Sequence, residues 1–187
     1  SPPKLIKIKG TALGTSYAVS YYDPQNRNYK SAIDSLLNRF ELSASIYNPE
    51  SVISKINNNN LTVQVDDHII KIFNRSAQIA KETSGAFDFT VAPLVNFWGF
   101  GFTNDNAIDS THIDSLLEFI DYNLVSINGN HIQKKDPRVM LDLNAIAKGY
   151  AVDMVGSFLN SKNTKSYIVE IGGEVITKGS KSNGQLW

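Results

Sequence analysis

The stretch Arg138–Asp153, RVMLDLNAIAKGYAVD, governs the reading of the fold. Val139 and Leu141 alternate as strand residues do, so residues 138–143 read as a strand. Ala147, Tyr150, Ala151, Met154 and Phe158 then recur at helical spacing, which predicts a helix over 145–159. A strand thus feeds a helix whose first turn lies near Asn144 and Ala145. Free N–H groups and the positive end of the helix dipole favour an anion at such a turn. Lys148 lies one turn in, within reach of the same ligand. Asp142 ends the strand, where a carboxylate can accept from a hydroxyl or a ring nitrogen. A plainer reading stands beside this one, with Asn144 as an N-cap and Lys148 as a solvated charge.

Hairpins lie on either side of this stretch. Downstream, Tyr167–Ile171 and Val175–Lys178 flank Gly172-Gly173. Upstream, Leu124–Ile127 and His131–Gln133 flank Asn128-Gly129, a pair suited to a type I′ turn with positive φ at both central residues. Residues 4–9 and 15–22 read as two more strands around a glycine-bearing turn from Gly10 to Gly14. Apolar periodicity predicts helices over 30–44 and 111–120, the second with Ile113, Leu116, Leu117 and Ile120 inward. A further helix starts after Asp66 or Asp67, buries Ile69, Phe73, Ala77 and Ala80, and stops near Gly85. Leu61, Val63 and Val65 alternate as a short strand, and Asn57–Asn60 reads as a loop. Hairpins separated by helices give an α+β fold, a largely antiparallel sheet with flanking helices.

Composition narrows the function. A chain of 187 residues is long enough for a substantial core, as one domain or two small ones. Lys plus Arg and Asp plus Glu both number 18, so the chain lacks the basic excess of a dedicated nucleic-acid binder. Cysteine is absent, which excludes disulfides, zinc–thiolate sites and a cysteine nucleophile. No apolar run reaches the ~18 residues of a membrane helix. His68, His112 and His131 have no metal-ligand spacing, and no serine lies in a nucleophile elbow.

Three other stretches carry candidate chemistry. Ser84–Phe102 places many aromatics between glycines, as a pocket-lining loop or a buried plug does. Within it Asp88 is held between Phe87 and Phe89, and simple alternation turns it to solvent. Tyr47 precedes the turn signal Asn48-Pro49, where an aromatic either stacks on a flat ring or covers the surface. Gly10–Thr15, GTALGT, matches neither the dinucleotide nor the P-loop pattern.

Taken in order, ALGTSY, SIYNPESVISKIN, GAFDFTVAPLVNFWGFG, DLNAIAKGYAVD and VEIGGEV resemble the successive motifs of the ApbE family. The similarity runs from about Gly10 to Trp187. It implies an ApbE-like fold and an FAD-dependent activity that moves FMN, with magnesium, onto a Ser or Thr hydroxyl of a target protein, releasing AMP. By the same resemblance Leu13 lines the flavin site and Tyr47 contacts the isoalloxazine. Ala86, Phe87 and Asp88 run along the dinucleotide, Asp142 and Lys148 contact the flavin, and the Ala145 carbonyl gives magnesium one oxygen. The family's other metal ligands, an Asp and a Thr, and a histidine associated with transfer lie beyond the IGG motif. Residues 1–187 are therefore expected to be the N-terminal part of such a domain, without its C-terminal portion. The resemblance further implies a flavin-acceptor protein of a redox complex as partner. It places the protein in the periplasm or on the exported side of a membrane, and the opening Ser-Pro-Pro fits a leader or lipid anchor removed. Two alternatives remain open at this point, a magnesium-dependent FAD pyrophosphatase and a non-catalytic flavin-binding protein.

Overall fold

The computed structural model describes residues 3–60, 62–99 and 111–187. In chain order the elements are β1 (Leu5–Ala12), β2 (Thr15–Tyr22), α1 (Lys30–Ala44), α2 (Val52–Asn57), α3 (Asp67–Glu82), α4 (Ala92–Phe97), α5 (Thr111–Leu117), β3 (Val125–Asn128), β4 (His131–Lys134), α6 (Asn144–Ser161), β5 (Ser166–Ile171) and β6 (Glu174–Lys178). They fall into two compact units. Residues 1–41 and 146–187 form the first, and residues 42–145 the second.

The first unit is built on a four-stranded antiparallel sheet in the order β1-β2-β5-β6. Period-two alternation puts Tyr17, Val19 and Tyr21 of β2 beside Ile171, Val169 and Tyr167 of β5, all nearly inaccessible. Ile33, Leu37 and Phe40 of α1 and Ala151, Val155 and Leu159 of α6 are equally buried. Burying each such aliphatic or aromatic side chain stabilises the fold by roughly 1.5–3 kcal/mol. Gly156 shows how closely α6 approaches the sheet, because a Cβ there would lie 3.2 Å from the Tyr167 hydroxyl.

The connection from β2 to α1 is tied by Asp23, a fully buried carboxylate. It accepts from the backbone N–H groups of Gln25 and Arg27, the Arg27 guanidinium and the Tyr29 hydroxyl. The Arg27 guanidinium above all holds this carboxyl far below the usual carboxylate range.

In the second unit, α3 starts as the sequence reading expects. The Asp66 carboxylate caps it by accepting from Ile69 N at 2.9 Å. Its buried face comprises Ile69, Ile72, Phe73, Ser76 and Ala80, whereas Ala77 is only half-buried. Phe73 packs edge-on against Phe89, with ring centroids 5.1 Å apart.

Several expectations need correction here. Residues 62–66 form no strand, although Val65 N donates to Asn130 O; Leu61 lies outside the described residues. The helix read over 111–120 is the shorter α5, and Leu117 is 49% exposed instead of inward. The β3–β4 hairpin pairs Asn128 with His131, so its central residues are Gly129-Asn130, one position later than read. Of that pair only Gly129 has positive φ, the pattern of a type II′ turn. Two six-residue helices, α2 and α4, occupy stretches read as turn or irregular chain.

The largest correction concerns residues 138–143. They are not a strand; Met140 makes one isolated parallel bridge to Val91. The buried Asn57 side chain replaces the missing neighbour. Its Oδ1 accepts from Leu141 N at 2.8 Å, and its Nδ2 donates to Leu141 O at 2.9 Å. One amide thus meets both backbone groups of Leu141, as a ladder partner would.

Candidate functional site

The first unit brings two hairpin turns to the same end of its sheet. Leu13-Gly14 joins β1 to β2 and Gly172-Gly173 joins β5 to β6, with positive φ at all four residues. Since β2 pairs with β5, Gly172 N donates to Ser16 O at 3.0 Å. A Cβ on Gly172 would lie 2.7 Å from Thr15 Cγ2 and 3.1 Å from Lys148 Cδ, so only glycine fits. Lys148 reaches from α6 to this turn, and its Nζ donates to Gly172 O at 3.4 Å. Two sequence candidates, Leu13 and Lys148, therefore belong to one local structure. Lys148 is half-buried against a glycine turn, not a freely solvated charge. Leu13 is a bulky residue held at φ 53°, a conformation that costs such side chains roughly 1–2 kcal/mol. Strain of this kind concentrates where chains meet ligands.

The second unit frames the other candidates with hydrogen bonds. Tyr47 sits in the turn before α2 and is 66% exposed. That turn is fastened to α2, because Ser51 Oγ donates to Ser45 O at 2.7 Å while accepting from Ser54 N at 3.1 Å. At its other end α2 is fastened to Leu141 through Asn57. Asp142 N donates to Phe89 O at 2.8 Å, so Asp142 lies beside the segment that carries Asp88. Ala86 is exposed and Phe87 half-buried on that segment.

The two acids differ in what they hold. Asp88 does not turn to solvent as alternation suggests. Its Oδ1 accepts from Thr90 N at 2.7 Å and Thr90 Oγ1 at 2.6 Å, and its Oδ2 accepts from Tyr122 N at 2.8 Å. Asp142 accepts from Asn144 N at 2.8 Å, and no cation is paired with it among the described residues. Burial pushes its carboxyl above the usual range, against the opposing effect of that one bond. Asp142 therefore keeps acceptor capacity that Asp88 has already committed. The same contact settles the capping question, since Asp142 and not Asn144 supplies the side-chain acceptor at the start of α6.

Ala145 lies in the first turn of α6, as expected. Among the described residues there is no group of three or more His, Asp or Glu able to hold a metal ion. A single backbone carbonyl does not meet the octahedral oxygen set that magnesium takes, so the residues present do not by themselves fit that ion. No helix among the described residues is long and apolar enough to cross a membrane.

Sequence reasoning missed Asn57, Thr15 and Thr90. The Asp-x-Thr spacing of an Asx turn signals Thr90 locally. Nothing local signals Asn57, whose partner lies 84 positions away. A cleft of about 1120 Å³ beside the β3–β4 hairpin is lined by none of the sequence-predicted site residues.

Solved flavin transferases share this fold. The structure of "Flavin Transferase ApbE from Vibrio cholerae" superposes with a TM-score of 0.91 at 30% identity, covering 100% of this chain and 63% of that one. The apo flavinyl transferase ApbE of Pseudomonas stutzeri gives 0.89 at 27% identity, covering 100% of this chain and 65% of that one. The chain belongs to the ApbE family, whose sequence profile matches residues 13–187. A relative named FAD:protein FMN transferase in Haemophilus influenzae is 32% identical over 98% of this chain and 57% of its own length. Its Vibrio cholerae counterpart is 30% identical over 100% of this chain and 58% of its own length. The chain thus spans a little over half the length of these curated relatives.

Proposed function

We propose that this chain binds FAD as a substrate and forms part of an enzyme that transfers FMN from FAD to a Ser or Thr hydroxyl of an acceptor protein. In that reaction the hydroxyl oxygen bonds to the phosphorus of the FMN half. The bond to the AMP half breaks, AMP leaves with the displaced oxygen, and the hydroxyl proton is released to solvent. The observation that carries the reading is the acceptor capacity left on Asp142, desolvated and without a cationic partner among the described residues, at the start of α6. Such a carboxylate suits a donor on a flavin ring or ribityl chain. Lys148, on the same helix, offers an ammonium to an anionic oxygen. Gly172 keeps side-chain atoms off the turn that Lys148 reaches. Leu13 and Tyr47 are the apolar and aromatic contacts the reading assigns to the isoalloxazine, with Ala86 and Phe87 along the dinucleotide.

The reading includes magnesium, which would offset the charge on a diphosphate. The Ala145 carbonyl would offer one oxygen to it, and the remaining ligands would have to come from outside the described residues. The acceptor is a flavin-carrying subunit of a redox complex. The enzyme works on the exported side of a membrane, tethered through an N-terminal lipid.

The test uses the protein at its full native length with FAD, magnesium and an acceptor domain. Covalent flavin fluorescence on the acceptor, with one AMP released per adduct, supports transfer. Release of free FMN with no adduct replaces transfer with hydrolysis. FAD titrated into residues 1–187 alone is expected to bind weakly, with little response to magnesium and no turnover.

A further inference from the structure

The cleft beside β3 and β4 has a chemistry of its own. Its floor is apolar, with Ile56 buried and Val63 and Ile132 half-buried. Its charged and titratable lining residues, among those described, are His131, Lys134 and Lys135, and no Asp or Glu lines it. Neutral side chains, many of them Asn, complete the wall.

Lys134 is the informative member. It is half-buried, and its Nζ donates to Pro137 O at 3.2 Å and Val139 O at 2.9 Å instead of to a carboxylate. Asp136, which acts on Lys134 only through space, accepts from the Arg138 guanidinium at 2.9 and 2.7 Å. Burial pushes the Lys134 ammonium down to about 8, so the fold holds a cation where it is poorly solvated. Lys135 next to it is exposed and makes no ion pair among the described residues.

We propose that this cleft docks an extended acidic segment of a partner protein. Three observations fit that occupant. The first is charge: a half-buried cation that donates only to carbonyls, beside the exposed Lys135, gains most from carboxylates. The second is size and shape. An open cleft of about 1120 Å³ exceeds the ~300–1000 Å³ of ordinary small-molecule pockets and suits several residues of chain. The third is the hairpin, which among the described residues is a sheet of only two strands. A short sheet with no third strand offers backbone groups to an added strand, while alternate side chains of the guest meet the floor and the cations. Cations on an edge strand ordinarily ward off pairing with a like edge. Here they also select a guest of opposite charge. The proposal stands apart from the FMN-transfer reading, since no residue assigned to FAD lines the cleft.

The test is fluorescence anisotropy with a labelled ten-residue peptide of alternating Glu and Val, titrated with the full-length protein. Saturable binding is expected, weakened about ten-fold when Gln replaces Glu in the peptide and about ten-fold again by Lys135→Glu with His131→Glu. Lys134→Met is read separately, because its loss also frees the Pro137 and Val139 carbonyls. FAD affinity measured on the same variants should stay at the wild-type value, which checks folding and separates this proposal from the transfer reading. Equal binding of a Lys–Val peptide, indifference to the cleft substitutions, absence of peptide binding, or equal displacement by inorganic pyrophosphate would each overturn it.

Discussion

Asp88 and Asp142 lie on neighbouring segments of the same unit, yet they are built for different tasks. Asp88 has both carboxylate oxygens occupied, by Thr90 and by Tyr122 N. Asp142 accepts from Asn144 N, is desolvated, and has no cation to balance it among the described residues. One acid closes a loop; the other is held in an unfavourable state that a ligand can relieve. Family motifs alone do not separate the two, because both sit in matching stretches. Hydrogen-bond inventory does.

The contrast rests on the framework beneath both acids, and breaking that framework should give the largest effect. Asn57→Ala strands the buried N–H and C=O of Leu141. It should cost about 3 kcal/mol in a urea melt and weaken FAD binding with it. Asp88→Ala removes three donors' partner and should cost about 2 kcal/mol, while Asp88→Asn recovers part of that. A stable Asp88→Ala variant with lost FAD affinity would reverse the roles assigned to the two acids.

Asp142→Asn should behave in the opposite sense. The amide oxygen can still accept from Asn144 N, so stability at pH 7 should hold or rise, while FAD affinity falls about ten-fold, or 1.4 kcal/mol. Burial raises the Asp142 carboxyl above its unfolded value of about 3.9, so the folded state favours the proton. This residue's contribution is therefore full below about pH 4 and is lost as pH rises through the folded value. The variant's advantage should appear in melts at neutral pH and vanish below about pH 4. Lys148→Met should show the smallest effect, a roughly three-fold loss of FAD affinity in equilibrium titration with stability changed by under about 0.5 kcal/mol.

The parts of the fold that were legible in the sequence are those with local causes. Both hairpins of the four-stranded sheet follow from period-two alternation and glycine turns, and α1 and α6 from long apolar stripes. The helices α2 and α4 escaped because six residues carry too little periodicity. Residues 138–143 read as a strand because alternation reports burial, and Val139 and Leu141 are indeed buried. What alternation cannot report is the partner, here a side-chain amide brought in from another helix. At the site, Asp142 and Lys148 stood out from a strand-to-helix pattern, whereas the satisfied state of Asp88 depends on Tyr122, 34 positions away. The Asn128-Gly129 signal marked the hairpin but not its register, which slid one residue to put Gly129 first.

Asn57 carries a consequence for how this region can vary. Its side chain must give one hydrogen and take another at fixed reach, inside a dry core. An ionised aspartate has nothing to donate, glutamine is one methylene too long, and a small apolar residue offers neither. In a saturation library scored for folding, position 57 should therefore tolerate almost no exchange, like a strand residue whose ladder cannot be rewritten by changing one letter.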